Sequence, residues 1–247
     1  MLTIFYHIGR YTLFVKKVFG RPEKHSIFIR QLILEIENLG INSLGIVAII
    51  SVFMGAVITL QTSYNLDMPF VPRYALGLAA RDSILLEFSS TIVCLILAGK
   101  VGSNIASEIG TMRVSEQIDA LEIMGINSAS FLVLPKVIAS VFIFPFLVII
   151  SMGVGITGGW LAGSLSGQVL SADYIYGIQY SFKPFYVVYS LIKSVVFAFI
   201  ISTISAYWGY YTSGGALEVG KSSTKAVVVS SIQILLFNLL LTQLLLA

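Results

Sequence analysis

Five stretches of the chain stay apolar for about 20 residues or more, the length a helix needs to cross the hydrocarbon of a bilayer. They fall at roughly 44–64, 84–105, 133–161, 185–207 and 226–246. The first reads L-G-I-V-A-I-I-S-V-F-M-G-A-V-I-T-L-Q-T-S-Y. None alternates apolar with polar positions, so none reads as a strand. In lipid, every backbone N–H and C=O must be paired inside its own segment, and the five stretches are therefore predicted as helices. Residues 44–247 thus form a five-span region. Before residue 40 the pattern changes: Arg10, Lys16, Lys17, Arg21, Lys24 and Arg30 alternate with Phe, Tyr, Ile and Leu. A basic helix studded with aromatics suits the membrane surface better than its centre, so 1–40 is read as an interfacial amphipathic region divided at Pro22.

Composition sharpens this picture. The chain is 57% hydrophobic and 11% charged, where a soluble domain carries about 25% charged residues. That excludes a water-covered globule and predicts an all-α integral membrane protein with 1–247 as a single domain. Charge gives its orientation. With the N-terminus inside, the cytoplasmic segments hold the six cations above plus Lys100, Arg113, Lys136, Lys221 and Lys225; the opposite side holds only Arg73, Arg81 and Lys183. The N-terminus is expected in the cytoplasm and the C-terminus outside. Cys94 lies within an apolar run and reads as a small buried hydrophobe. His7 and His25 are isolated and give no metal site, and no cleavable signal sequence is expected at the start. Nothing points to nucleic acid.

Two loops on the cytoplasmic side hold candidate chemistry. The segment 108–124 reads as a short helix outside the membrane: Val114, Ile118 and Leu121 form an apolar stripe, with Ser115, Asp119 and Glu122 beside it, and Gly125 is a stop. One apolar and one acidic edge suit docking into a groove on a partner. The second loop contains G-A-L-E-V-G-K-S at 215–222, which fits the phosphate-cradling pattern G-x-x-x-x-G-K-[ST]. That pattern needs a preceding buried strand. Here it follows a membrane helix, and only one more span comes after it, so the match is read as coincidence and the chain as having no catalytic residue, metal or cofactor.

A charge within the bilayer costs about 2.5–3.5 kcal/mol on insertion scales and normally faces a cavity or a partner. Glu87 and Lys193 both fall on the external half of their spans, and Lys193 reads as the only basic side chain well inside one. With Leu60, Gln61 and Tyr64 of the first span they make a candidate polar rim for a lipid headgroup. A structural ion pair or simple snorkelling is the competing reading of Glu87 and Lys193. Gly55, with Gly153, Gly155, Gly158 and Gly159, is expected to let the first and third spans approach closely.

The run A-G-K-V-G-S-N-I-A-S-E-I-G-T-M-R-V-S-E-Q-I-D-A-L-E-I-M-G, residues 98–125, resembles the signature of MlaE-type permeases, the membrane subunits of ABC lipid transporters that work with MCE proteins. F-M-G-A-V-I-T-L-Q at 53–61, L-P-K-V-I-A at 134–139 and L-I-K-S-V-V-F-A at 191–198 extend the likeness over nearly all of 40–247. It implies a homodimer in a bacterial inner membrane, two cytoplasmic ATPase subunits that bind the ATP, a hexameric MCE-domain protein on the periplasmic face, and phospholipid as cargo in the upkeep of lipid asymmetry. The 108–124 helix becomes the coupling helix, with Glu108, Thr111, Met112, Arg113, Glu116, Gln117, Asp119 and Leu121 as the residues that meet the ATPase. The chain departs from the family pattern at Leu86, Glu87 and Ser90, where Arg-Glu-x-x-Pro is frequent, and at Lys100, where arginine is common. The rival functions are a membrane-embedded lipid-modifying enzyme, which would need clustered His, Asp or Glu, and an ion-coupled carrier, for which Glu87 and Lys193 are thin support.

Overall fold

The computed structural model describes residues 2–20, 25–66 and 72–246. Among them the chain forms eight helices and no strand: α1 (Leu2–Val18), α2 (Ile27–Asn65), α3 (Ala75–Val114), α4 (Gln117–Ile123), α5 (Ser128–Leu165), α6 (Ser171–Gln179), α7 (Phe185–Tyr210) and α8 (Ala216–Leu246). Helices α2, α3, α5, α7 and α8 are long and apolar enough to cross a membrane. The five-span, all-helical architecture stands as the hydrophobic pattern predicts.

The helices outrun the apolar stretches that announce them. α2, α3 and α5 have 39, 40 and 38 residues, which at 1.5 Å per residue is about 57–60 Å, twice the roughly 30 Å of hydrocarbon. Hydropathy marks only the part of a helix that lipid could surround, not its polar extensions. Two boundaries change accordingly. The piece expected to lie on the surface ahead of the first span is continuous with that span from Ile27 onward; Pro22 lies outside the described residues. And the expected helix 108–124 is not one helix, because its first half is the end of α3.

Both α2 and α3 contain wider, π-helical turns, at Ile36–Ile41 in α2 and at Ile84–Ile92 and Ala98–Gly102 in α3. Each shifts the register of the side chains that follow, and such turns recur at functional sites. The turn at Ile84–Ile92 contains Glu87.

The chain packs as two compact units: Met1–Asn42 with Leu95–Ile143 and Val196–Leu240, and Ser43–Cys94 with Phe144–Val195 and Leu241–Ala247. Lipid tails are as apolar as leucine, so spans associate through close packing and polar contacts. In the first unit, Gly40 lies so near α5 that a Cβ there would collide with the Ile143 side chain. In the second, α2 and α5 meet backbone to backbone: a Cβ on Gly55 would strike the Gly155 carbonyl, and Ser51 Oγ lies 2.8 Å from Ser151 Oγ. Gly158 and Gly159 are crowded in the same way, as expected, whereas Gly153 borders open space and takes no part. Arg81, buried, donates from Nη1 to the carbonyls of Ile178 (2.7 Å) and Tyr180 (2.9 Å) and pairs with Asp82. Its guanidinium thus satisfies carbonyls at the C-terminal end of α6, where a cation is favoured.

Candidate functional site

The first constellation belongs to the first unit and is built where α3 stops. After Val114 the chain bends at Ser115, and Glu116 takes a left-handed conformation (φ 62°) before α4 begins. That conformation costs an L-residue about 1–2 kcal/mol, and strain of this kind gathers at functional positions. The break reassigns the expected faces. Ile118 is fully buried, and Val114 and Leu121 are half-buried, so the apolar stripe packs inward. The exposed apolar residues are instead Ile123 (88% exposed) and Met124 (65%), continuing a face formed by Glu116, Gln117 and Ala120. The sequence signal for it was the spacing 117, 120, 124, which the neighbouring Val114–Ile118–Leu121 period masked.

The acidic edge is likewise divided. Asp119 pairs with Arg113 at 2.5 Å. Glu108, a turn and a half before the end of α3, receives a hydrogen bond from Lys136 at 2.8 Å. Thr111 is exposed and donates to the Ser107 carbonyl, and Met112 is half-buried. Beside α4, Arg10, Arg113, Glu116, Asp119, Tyr211 and Gly214 line an open cavity of about 420 Å³.

Glu122 is the anchor of the far end of α4. Its Oε1 accepts from Lys17 Nζ (2.8 Å), Tyr210 OH (2.8 Å) and Ser128 Oγ (2.9 Å). The hydrogen bond from Lys17, then those from Tyr210 and Ser128, hold its carboxyl down to about 2. Burial would lower the Lys17 ammonium, but its bonds to Glu122 and Tyr210 outweigh that and raise it. Asn127 Nδ2 donates to the Lys17 carbonyl and Ser130 Oγ to that of Gly20. So α1 is stitched to the segment following α4. Its other contacts continue along α7: His7 Nδ1 bonds Tyr207 OH (2.9 Å), Tyr11 OH bonds Thr203 Oγ1 (2.7 Å), and Phe14 is buried against Tyr207, Tyr210 and Tyr211. The stripe His7, Tyr11, Phe14, Val18 at i, i+4, i+7, i+11 was readable in the sequence and passed unnoticed. The opposite face leaves Phe5, Ile8 and Leu13 exposed.

The contribution of this anchor to stability has a defined pH range. A depressed carboxyl contributes fully above its ordinary value of 4.5 and loses that contribution as pH falls towards 2; a raised ammonium contributes below 10.5 and loses it above. Because both side chains are close to half-exposed, the pair is worth at most about 1 kcal/mol. Glu122→Gln is therefore expected to leave the fold intact but to speed proteolysis within α1, with unchanged α1 protection as the contrary result.

The second constellation belongs to the second unit. Lys193 of α7 is fully buried (0% exposed) and donates to Glu87 Oε1 at 2.9 Å and to the Leu86 carbonyl at 3.2 Å, with the Tyr189 ring 4.4 Å away. Glu87 also accepts from Thr91 Oγ1 at 3.0 Å, and its side chain is 44% exposed. The structure thus brings Glu87 and Lys193 together. Tyr64 is engaged elsewhere, its hydroxyl accepting from Gln168 Nε2 at 3.0 Å, while Gln61 is exposed and Leu60 half-buried on α2. Lys193 is not alone in being buried, since Arg81 and Lys136 are too; length of apolar sequence does not reveal which polar extension folds inward.

The segment 215–222, expected as a loop, is instead helical from Ala216 onward and forms the first turns of α8. α7 precedes it, Ser222 Oγ donates to the Trp208 carbonyl at 2.7 Å, and Lys221 Nζ bonds Glu218 Oε1 at 2.6 Å. Lysine and serine are both turned to their own protein. Among the described residues no group of three His, Cys, Asp or Glu is placed to hold a metal ion.

Five helices long and apolar enough to cross a bilayer, with a short helix set off from the second by a strained turn, define a multi-pass membrane protein. The model of the family described as Permease MlaE matches residues 32–244. A probable ABC transporter permease protein of Rickettsia bellii is 39% identical over 96% of this chain and 91% of its own length. The chloroplastic protein TRIGALACTOSYLDIACYLGLYCEROL 1 of Arabidopsis thaliana is 35% identical over 89% of this chain and 62% of its own, and a probable ABC transporter permease protein of Synechocystis is 34% identical over 84% and 79%. The chain belongs to the MlaE permease family. It is a permease subunit of an ABC-type transporter.

Proposed function

We propose that this permease moves phospholipid between the bacterial inner membrane and a periplasmic MCE-type shuttle, driven by two ATPase subunits that bind α4 from the cytoplasm. The observation that carries the lipid reading is the Lys193–Glu87 pair, a buried ammonium placed inside a helical span behind a half-exposed carboxylate. A phosphate leaving the bilayer must be desolvated, and a cation with hydrogen-bonding neighbours lowers that cost. Glu87 occupies the ammonium when lipid is absent and yields it when a phosphate arrives. Gln61, Tyr64 and Leu60 supply the neighbouring rim on α2. The plant relative, named for a galactosylated diacylglycerol, supports a lipid as cargo.

The ATPase reading is supported by the strained turn at Glu116 and the exposed Ile123 and Met124, an apolar tip beside a polar cavity. A homodimer is supported by α8, where only 11% of the most apolar stretch is buried inside one chain; a second copy would cover much of the rest. The C-terminus then lies in the periplasm, as the count of basic residues expects.

Native mass spectrometry of the affinity-purified membrane complex tests this at once. The expected result is two copies of this chain with two ATPase subunits, an MCE-domain protein and bound phospholipid. A chain recovered alone, or a complex that binds no lipid, would overturn the corresponding part.

A further inference from the structure

The geometry points to Lys136 as a positioning residue: a pin that ties the stem of the docking helix to the first and third spans, so that a movement imposed on α4 reaches all three together. This rests on the ATPase-docking reading of α4 and extends it. Lys136 lies about two turns into α5 and is 3% exposed. Its Nζ donates to Glu35 of α2 at 2.5 Å and to Glu108 of α3 at 2.8 Å. One ammonium therefore holds carboxylates from two other helices. Glu108 stands six residues before Val114, about 9 Å up the stem from the strained turn.

Two further contacts make the same three helices a single body within this unit. Lys100 of α3 donates to the Asn42 carbonyl of α2, at the end of the wide turn Ile36–Ile41. Gly40, in that turn, is pressed against Ile143 of α5. A staple between two helices would need only one carboxylate. The second carboxylate makes Lys136 a junction: removing the ammonium leaves Glu35 and Glu108 facing each other with like charge, which drives the stem away from α2. Beyond Lys100 it is Lys136 that holds the stem to α2, so loss of the lysine frees the end of α3 from the wide turn while the Lys100 and Gly40 contacts remain.

The test uses the complex with its ATPase in lipid nanodiscs. Spin labels are placed through Ile41→Cys and Ser115→Cys, both exposed positions and the second in the turn between α3 and α4 away from the apolar tip, with Cys94→Ser, and distances are read by pulsed electron resonance without nucleotide and with ADP and vanadate. In the unmodified chain the distance distribution is expected to stay narrow in both states. In Glu35→Gln/Lys136→Met/Glu108→Gln, which removes all three charges and leaves none unpaired, it is expected to broaden with nucleotide. Transfer of nitrobenzoxadiazole-labelled phosphatidylethanolamine per ATP hydrolysed, a ratio independent of how much ATPase is recovered, is expected to fall about three- to tenfold, with both readouts restored in Lys136→Arg. A triple variant with the original distances and the original lipid-to-ATP ratio would overturn the pin. If the triple variant does not assemble, Glu108→Gln alone, which keeps the Lys136–Glu35 pair, is read by the same distances, and an unchanged distribution overturns the proposal. An unmodified complex that hydrolyses ATP without moving the labelled lipid would count against lipid as cargo and leave the distances to decide the pin. An unmodified chain that binds no ATPase would overturn the docking reading, and the pin with it.

Discussion

Lys193→Met is expected to cut phospholipid transfer by about 10- to 100-fold, the loss of a hydrogen bond to a charged group worth about 1.5–3 kcal/mol, while ATPase recovery and basal ATP hydrolysis stay near normal. The residue lies in the second unit, whereas the docking helix α4 lies in the first. Methionine fills a similar volume without a charge. The substitution leaves Glu87 without its ammonium, but that side chain is 44% exposed and keeps Thr91, so it can remain hydrated. Lys193→Met/Glu87→Gln removes the remaining charge and should transfer lipid as poorly as Lys193→Met, because neither offers a cation. Glu87→Gln alone should do less harm, since the ammonium persists and loses only the group that holds it. Transfer of a labelled phospholipid from vesicles, scored beside ATP hydrolysis, separates these outcomes. Normal transfer by Lys193→Met would make the pair a structural staple and move the headgroup site elsewhere.

The order of effects expected for Lys193 and Glu87 could be reasoned from sequence, but their partnership depended on packing. The limits of the spans and the count of basic residues put both on the external half, which made a structural ion pair one reading beside a headgroup rim. Burial then distinguishes them: Lys193 is enclosed, and Glu87 is 44% exposed. The spans themselves were legible because lipid enforces helices and length, and Gly55, Gly155 and Gly158 were legible because small residues in apolar runs serve few other ends. Helix ends were not. Ser107 and Glu108 are polar enough to suggest a break between the second span and a separate helix starting at 108, yet α3 continues through them, since Ile105, Ala106 and Ile109 on the same stretch are fully buried. Glu116 could not be foreseen either, because nothing in its side chain favours a left-handed backbone as glycine would. Its conformation is set by what surrounds it: Arg113 bonding Asp119 across the turn, and Ile118 buried just beyond. Asp119 and Glu122, expected on one edge, both fall on α4 after the break, but each is engaged within the chain, Asp119 by Arg113 and Glu122 by Lys17, Tyr210 and Ser128, which spacing along a helix does not reveal.

Ile123→Glu/Met124→Glu is expected to detach the ATPase while leaving the permease folded. Both side chains point outward at the tip of α4, 88% and 65% exposed, so the change removes no internal packing. α4 itself is held by buried Ile118 and by Glu122 with its three donors, neither of which is touched. Apolar residues at the centre of a partner interface each contribute about 2 kcal/mol or more when they are hot spots, and burying new carboxylates adds a desolvation cost. Loss of recovered ATPase by at least about tenfold is therefore expected. Glu116→Lys/Asp119→Lys would be a less clean experiment, because the second change breaks the Arg113–Asp119 pair and disturbs the turn as well as the surface. Glu116→Gly serves as the control: glycine takes the left-handed conformation at no steric cost, so the turn is kept and binding should persist. Affinity purification from membranes, with the elution profile of the tagged permease as the check on folding, reads all three. ATPase recovered undiminished with Ile123→Glu/Met124→Glu would mean that the partner grips another surface, and that the apolar tip of α4 faces lipid.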